Sequence, residues 1–138
     1  MPRSSPHSPV GGLQNGLSDA WNTVRSHRGN ALLLVADATA ETTLEALRIG
    51  RTPVTIWRPG SPLLFPAVPG TLILQDVGAL THADQRSLCE WLEVTGGRTR
   101  VISTTVQPIF PLGEAGAFSP TLYYRLNVLF FNMSGHAQ

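Results

Sequence analysis

GTLILQDVG, residues 70–78, is the stretch on which the reading of the fold turns. Thr71, Leu72, Ile73 and Leu74 form a continuous apolar or β-branched run, the composition of a strand covered on both faces of a parallel sheet. The run passes directly into Gln75 and Asp76, so the strand carries two polar side chains to its carboxyl end. In doubly wound α/β sheets, that edge is where ligands bind.

Toward the C-terminus, Thr81 and Asp84 have capping-box spacing, with Asp in place of the usual Glu, and open a helix that runs to about Thr95. Leu88, Trp91, Leu92 and Thr95 recur at spacings of three and four and form its buried face, while Asp84, Arg86, Glu90 and Glu93 stay wetter. Gly96 and Gly97 end it. RVISTT, residues 100–105, is a further strand. Pro108, Pro111, Gly113 and Gly116 mark an irregular loop. Ser119 as cap and Pro120 at the first helical position then start a helix through Tyr123, Tyr124 and Leu126. VLFF, 128–131, is the last strand, and residues 133–138 form a tail.

Toward the N-terminus, RPGSPLLFPAVPG at 58–70 holds four prolines and cannot form a helix interior. It is an extended connection that lays Leu63, Leu64 and Phe65 over the sheet, as core cover or as an exposed apolar patch. PVTIW, 53–57, is a strand. Before it, Thr39 caps a helix whose inward side is Leu44, Leu47 and Ile49, with Gly50 as its stop. ALLLVAD, 31–37, is a buried strand, preceded by a short helix from Asp19 to about His27 in which Trp21 and Val24 share a face. Residues 1–16, rich in proline, serine and glycine, form a flexible arm. The expected organisation is therefore this arm, one α/β domain over 17–132, and the short tail. Its fold class is a five-stranded, mostly parallel sheet flanked by helices.

Composition narrows the function. The net charge is +1 and the ten basic residues, all arginine, are scattered, so no basic stripe marks a nucleic-acid surface. No apolar run reaches the ~20 residues of a membrane span. Cys89 is the single cysteine, which excludes an internal disulfide and fits a reducing cytoplasm. It has no neighbouring histidine to activate it and reads as a buried, inert thiol. The four histidines are dispersed, and no metal site is expected. The chain contains no lysine, so phosphate binding by a lysine-bearing P-loop is closed to it.

Four blocks in order, GTLILQDVG, QRSLCEWLE (85–93), RVISTT (100–105) and GAFSPTLYYRLNV (116–128), resemble the second half of the AAA+ ATPase domain of sigma-54-dependent transcription activators, the bacterial enhancer-binding proteins. LYYRLNV is the most specific of them. The resemblance covers about residues 70–130, with 31–57 fitting the first two strands by pattern. It implies a P-loop/AAA+-like sheet, but its functional residues carry over poorly. The family's Walker B strand ends in Asp-Glu, one carboxylate for Mg²⁺ and its water, the next for the attacking water. Gln75 and Asp76 hold those places, a degenerate Walker B pair. ADATAETT (36–43) stands where the phosphate loop belongs, without its glycines. Val106 takes the place of the sensor asparagine and Ser119 that of the first intersubunit arginine; Arg125 matches the second, where it is either a residual arginine finger or, the reading preferred here, the partner of a local carboxylate or carbonyl. The helical lid, the DNA-binding region and the sigma-contacting GAFTGA loop are expected to be missing; GAFS at 116–119 is a coincidental match.

The expectation is a pseudo-ATPase without catalytic residues, cofactor or metal. It would regulate by binding a protein partner as inhibitor, adaptor or regulatory subunit, with Leu63, Leu64 and Phe65 as the candidate patch. Direct nucleic-acid and membrane contacts are not expected, and a dimer through 58–70 is compatible with the sequence. The alternative is a residual nucleotide-binding regulator of sigma-54-dependent transcription.

Overall fold

Five short strands share one sheet. They are β1 (Ala31–Leu34), β2 (Val54–Trp57), β3 (Thr71–Leu74), β4 (Arg100–Thr105) and β5 (Leu129–Asn132), in spatial order β2-β3-β4-β1-β5 with every neighbouring pair parallel. This computed structural model describes residues 19, 22–24, 26, 29–36 and 53–133. The N-terminal arm, the helix expected after Thr39 and residues 134–138 lie outside the described residues. Of the helix expected from Asp19, the described positions 19, 22–24 and 26 are helical.

The uninterrupted apolar runs of β1 and β3 have a direct cause. All four residues of each strand are buried, because both faces of the sheet are covered. On one face Leu32, Leu72, Leu74 and Val101 meet Leu88, Leu92, Leu122 and Leu126. On the other, Ala31, Leu33, Ile73 and Ile102 pack with Val24. Removing each such leucine side chain from water contributes roughly 1.5–3 kcal/mol.

Helix α1 (His82–Thr95) begins where Thr81 Oγ1 accepts the N–H of Asp84 at 3.1 Å and ends at Gly96, whose φ of 58° is left-handed. It lies on the first of these faces through Leu88 and Leu92. The ring of its Trp91 stacks on Phe65 at 4.9 Å and 9°, which draws the proline-rich connection down onto the helix. At the base of β3, Gly70 is required by close approach, since a Cβ there would stand 2.3 Å from the Pro53 carbonyl oxygen.

Three expectations are corrected. The loop between β4 and the last helix contains a short helix, α2 (Phe110–Glu114), ahead of α3 (Pro120–Leu126). Pro111 falls in its first turn, where the missing N–H has no intrahelical partner to lose. Met133, expected to open the tail, is buried and donates its N–H to the Leu34 carbonyl at 2.7 Å, extending the β5 edge. Cys89, expected to be buried, is half-exposed among the side chains around α1.

Two long-range brackets fix the arrangement. Asn30 accepts the Val101 N–H at 2.9 Å and donates to the Arg125 carbonyl at 3.0 Å, joining the start of β1 to β4 and to α3. The Arg100 guanidinium donates to the carbonyls of Gly29 and Val24, and its burial pushes its pKa below the ordinary value.

Candidate functional site

The carboxyl edge of β3 and β4 is assembled from the backbone outward. Gln75 N donates to Trp57 O at 3.0 Å, extending the β2–β3 ladder by one residue past Leu74. Its side chain is buried, 3% exposed, and Oε1 has no hydrogen-bond partner. Asp76 then turns the chain. Its φ of 58° makes it the one non-glycine with left-handed backbone among the described residues, a conformation that aspartate tolerates better than most side chains. Its N–H donates to Thr104 Oγ1 at 3.0 Å, and the half-buried residue opens a 3₁₀ turn at Val77–Ala79. On the neighbouring strand Ser103, Thr104 and Thr105 are buried. Thr105 Oγ1 donates to the Gln107 carbonyl at 2.7 Å, folding the chain back beyond the sheet and leaving Val106 half in water.

A carboxylate, an amide and hydroxyls therefore converge on this edge. Gln75 has no negative charge to offer, and an amide is a weak ligand for a hard dication compared with a carboxylate. Asp76 brings one carboxylate. Among the described residues, no three His, Cys, Asp or Glu side chains come together in a geometry suited to a metal ion.

The other expected site residues lie elsewhere. Arg125 Nη2 is 3.0 Å from Glu93 Oε1, so α3 is clipped to α1 across the helical face. Leu63 and Phe65 pack against the core and Leu64 projects into solvent at 70% exposure, so the three do not form one continuous exposed patch. Ser119 caps α3 by accepting the Leu122 N–H at 3.2 Å.

One residue that sequence reasoning passed over organises this side of the molecule. Gln85 is buried, donates Nε2 to the carbonyls of Leu80 and Ala117 at 3.1 Å each, and accepts the Ser119 N–H at 2.8 Å. The available signal was its place as the first polar residue of QRSLCEWLE, one turn after the cap.

Comparison with known proteins places this geometry. The family model described as "Sigma-54 interaction domain" matches residues 59–135, more than half of the chain. The chain belongs to the sigma-54 interaction domain family. No curated protein sequence matches it significantly. Among solved structures, this sigma-54 interaction domain is similar to NtrX from Brucella abortus in complex with ATP, with a TM-score of 0.71 and 19% identity over 95% of this chain and 36% of that one. The ADP complex of the same protein gives 0.72, also at 19% identity, over 96% and 37%. The P-loop NTPase domain of a sigma-54 transport activator from E. coli gives 0.63 at 18% identity, over 91% of this chain and 98% of that domain. The chain thus spans little more than a third of NtrX and shares the fold of a whole NTPase domain. Among the described residues, no helix is long and apolar enough to cross a membrane.

Proposed function

We propose that this chain is a non-catalytic regulator, a pseudo-ATPase that acts by binding a protein partner as inhibitor, adaptor or regulatory subunit. The observation that carries the reading is Gln75: at the end of the family's hydrolysis strand stands a neutral amide, 3% exposed. A divalent cation brought there gains no charge–charge attraction from that side chain and must be held by Asp76 and water. The complete lack of lysine supports the same reading, because the usual phosphate-loop cation cannot be supplied from within the chain. Arg125, engaged with Glu93, would have to leave that ion pair to reach a neighbouring subunit's nucleotide. Exposed apolar side chains on the proline-rich connection, Leu64 and Val68, offer surface to a protein.

The second reading, a residual nucleotide-binding regulator of sigma-54-dependent transcription, is favoured by Asp76, a half-buried carboxylate residue at the family's site whose backbone N–H is held by the Thr104 hydroxyl. Isothermal titration with ATP and Mg²⁺ separates the two. The first reading expects no saturable heat up to millimolar nucleotide. Micromolar binding that disappears in Asp76→Ala would overturn it and establish the second.

A further inference from the structure

Between α2 and α3 lies a recess of about 200 Å³, lined by Phe110, Glu114, Pro120, Tyr123 and Tyr124 among others. Three aromatic rings stand steeply to one another around it. Phe110 meets Tyr123 at 6.1 Å and 61°, and Tyr123 meets Tyr124 at 5.2 Å and 69°. Tyr123 is half-buried, and its hydroxyl accepts a hydrogen bond from Asn127 at 3.0 Å, which pins the middle ring. The outer two are open to water, Phe110 at 51% and Tyr124 at 66% exposure. Glu114 is the one charged side chain on the lining, and it forms no ion pair with any described residue.

We propose that this recess binds the guanidinium head of an arginine side chain presented by a partner protein. The rings carry negative charge on their faces and attract a cation placed over them, and arginine makes such contacts more often than lysine. The planar guanidinium stacks on aromatic rings, sheds water more readily than an ammonium and pairs with a carboxylate. An apolar residue in the same place would leave the Glu114 carboxylate on the lining unpaired, whereas a guanidinium meets it with opposite charge. The volume is below the roughly 300–1,000 Å³ of small-molecule sites and suits one side-chain head group. The proposal names a contact that the protein-binding reading leaves open and rests on that reading for its use in the cell. Its test addresses the recess alone, so a negative result leaves the nucleotide titration to decide that reading separately.

The experiment is an NMR titration of the full chain, observing the aromatic resonances of Phe110, Tyr123 and Tyr124. One probe is a blocked Gly-Arg-Gly peptide and the other its citrulline counterpart, neutral and of the same shape. The arginine peptide should shift these resonances saturably and bind about two- to fivefold more tightly than the citrulline peptide, the ratio expected of an exposed cation–aromatic contact. Tyr124→Leu and Glu114→Gln, both changes at exposed positions, should each reduce that preference while leaving the thermal midpoint in place. Equal affinity for the two peptides, or shifts confined to other residues, would overturn the proposal. So would a concentration-dependent dimer in sedimentation that Tyr124→Leu dissociates, since the recess would then be filled by a second copy of the chain.

Discussion

Gln85 and Gln75 are the same side chain in opposite circumstances. Gln85 has its amide fully engaged, holding the entry of α1, the turn before α3 and the cap residue Ser119 together. Replacing it with leucine strands two carbonyls and one N–H, and Gln85→Leu should lose about 2–4 kcal/mol in urea unfolding, the range for several buried groups left unpaired. Gln75 has a buried Oε1 with no hydrogen-bond partner, so Gln75→Leu should be neutral within ~1 kcal/mol or stabilising. A large loss would mean that its amide holds a partner outside the described residues. The position of Gln75 at the strand end was legible in GTLILQDVG because an unbroken apolar run and the polar residues that end it are local facts. The role of Gln85 was not, since its decisive bonds reach Ala117 and Ser119, 32 and 34 residues away.

At the scale of elements, legibility followed the capping chemistry. The bounds of α1 agree with Thr81 and Gly96, where side-chain and left-handed caps write the ends into the sequence. The short helix α2 was hidden because PLGEAG reads as breakers. Proline is compatible with a first turn and glycine costs only part of a kcal/mol in a helix held by packing, about 1 kcal/mol at most. The recess lined by Phe110 and Tyr124 went unseen for the same reason, because it exists only once α2 is placed beside α3. Thr81→Ala should cost about 1 kcal/mol, the loss of one N-cap, measured by chemical denaturation. Gly70→Ala should cost more, about 2–3 kcal/mol or above, because the added methyl would meet backbone at Pro53 rather than a movable side chain. A Gly70→Ala protein as stable as wild type would show that the β2–β3 junction yields.

For the whole molecule, the order β2-β3-β4-β1-β5 is the feature no local pattern states. Hydrophobic runs announce buried strands, but which strand lies beside which is set by crossover handedness and by the side chains that bracket distant elements. Here those are Asn30 and Arg100, neither of which stands out in the sequence. The placement of β1 between β4 and β5 also bears on how the chain is made. Asn30 reaches Val101 across 71 residues, and both neighbours of β1 come later in the chain. At ~5–20 residues per second of synthesis, the ALLLV segment waits several seconds beside the ribosome with no strand to pair with. Nascent chains arrested before β4 has emerged should therefore be cut readily by protease and held by chaperones. Chains arrested after Met133 has cleared the exit tunnel should resist. Early protection would show that the first strand finds a temporary shelter of its own, whereas late protection makes assembly of this sheet an all-or-none event timed by its last strands.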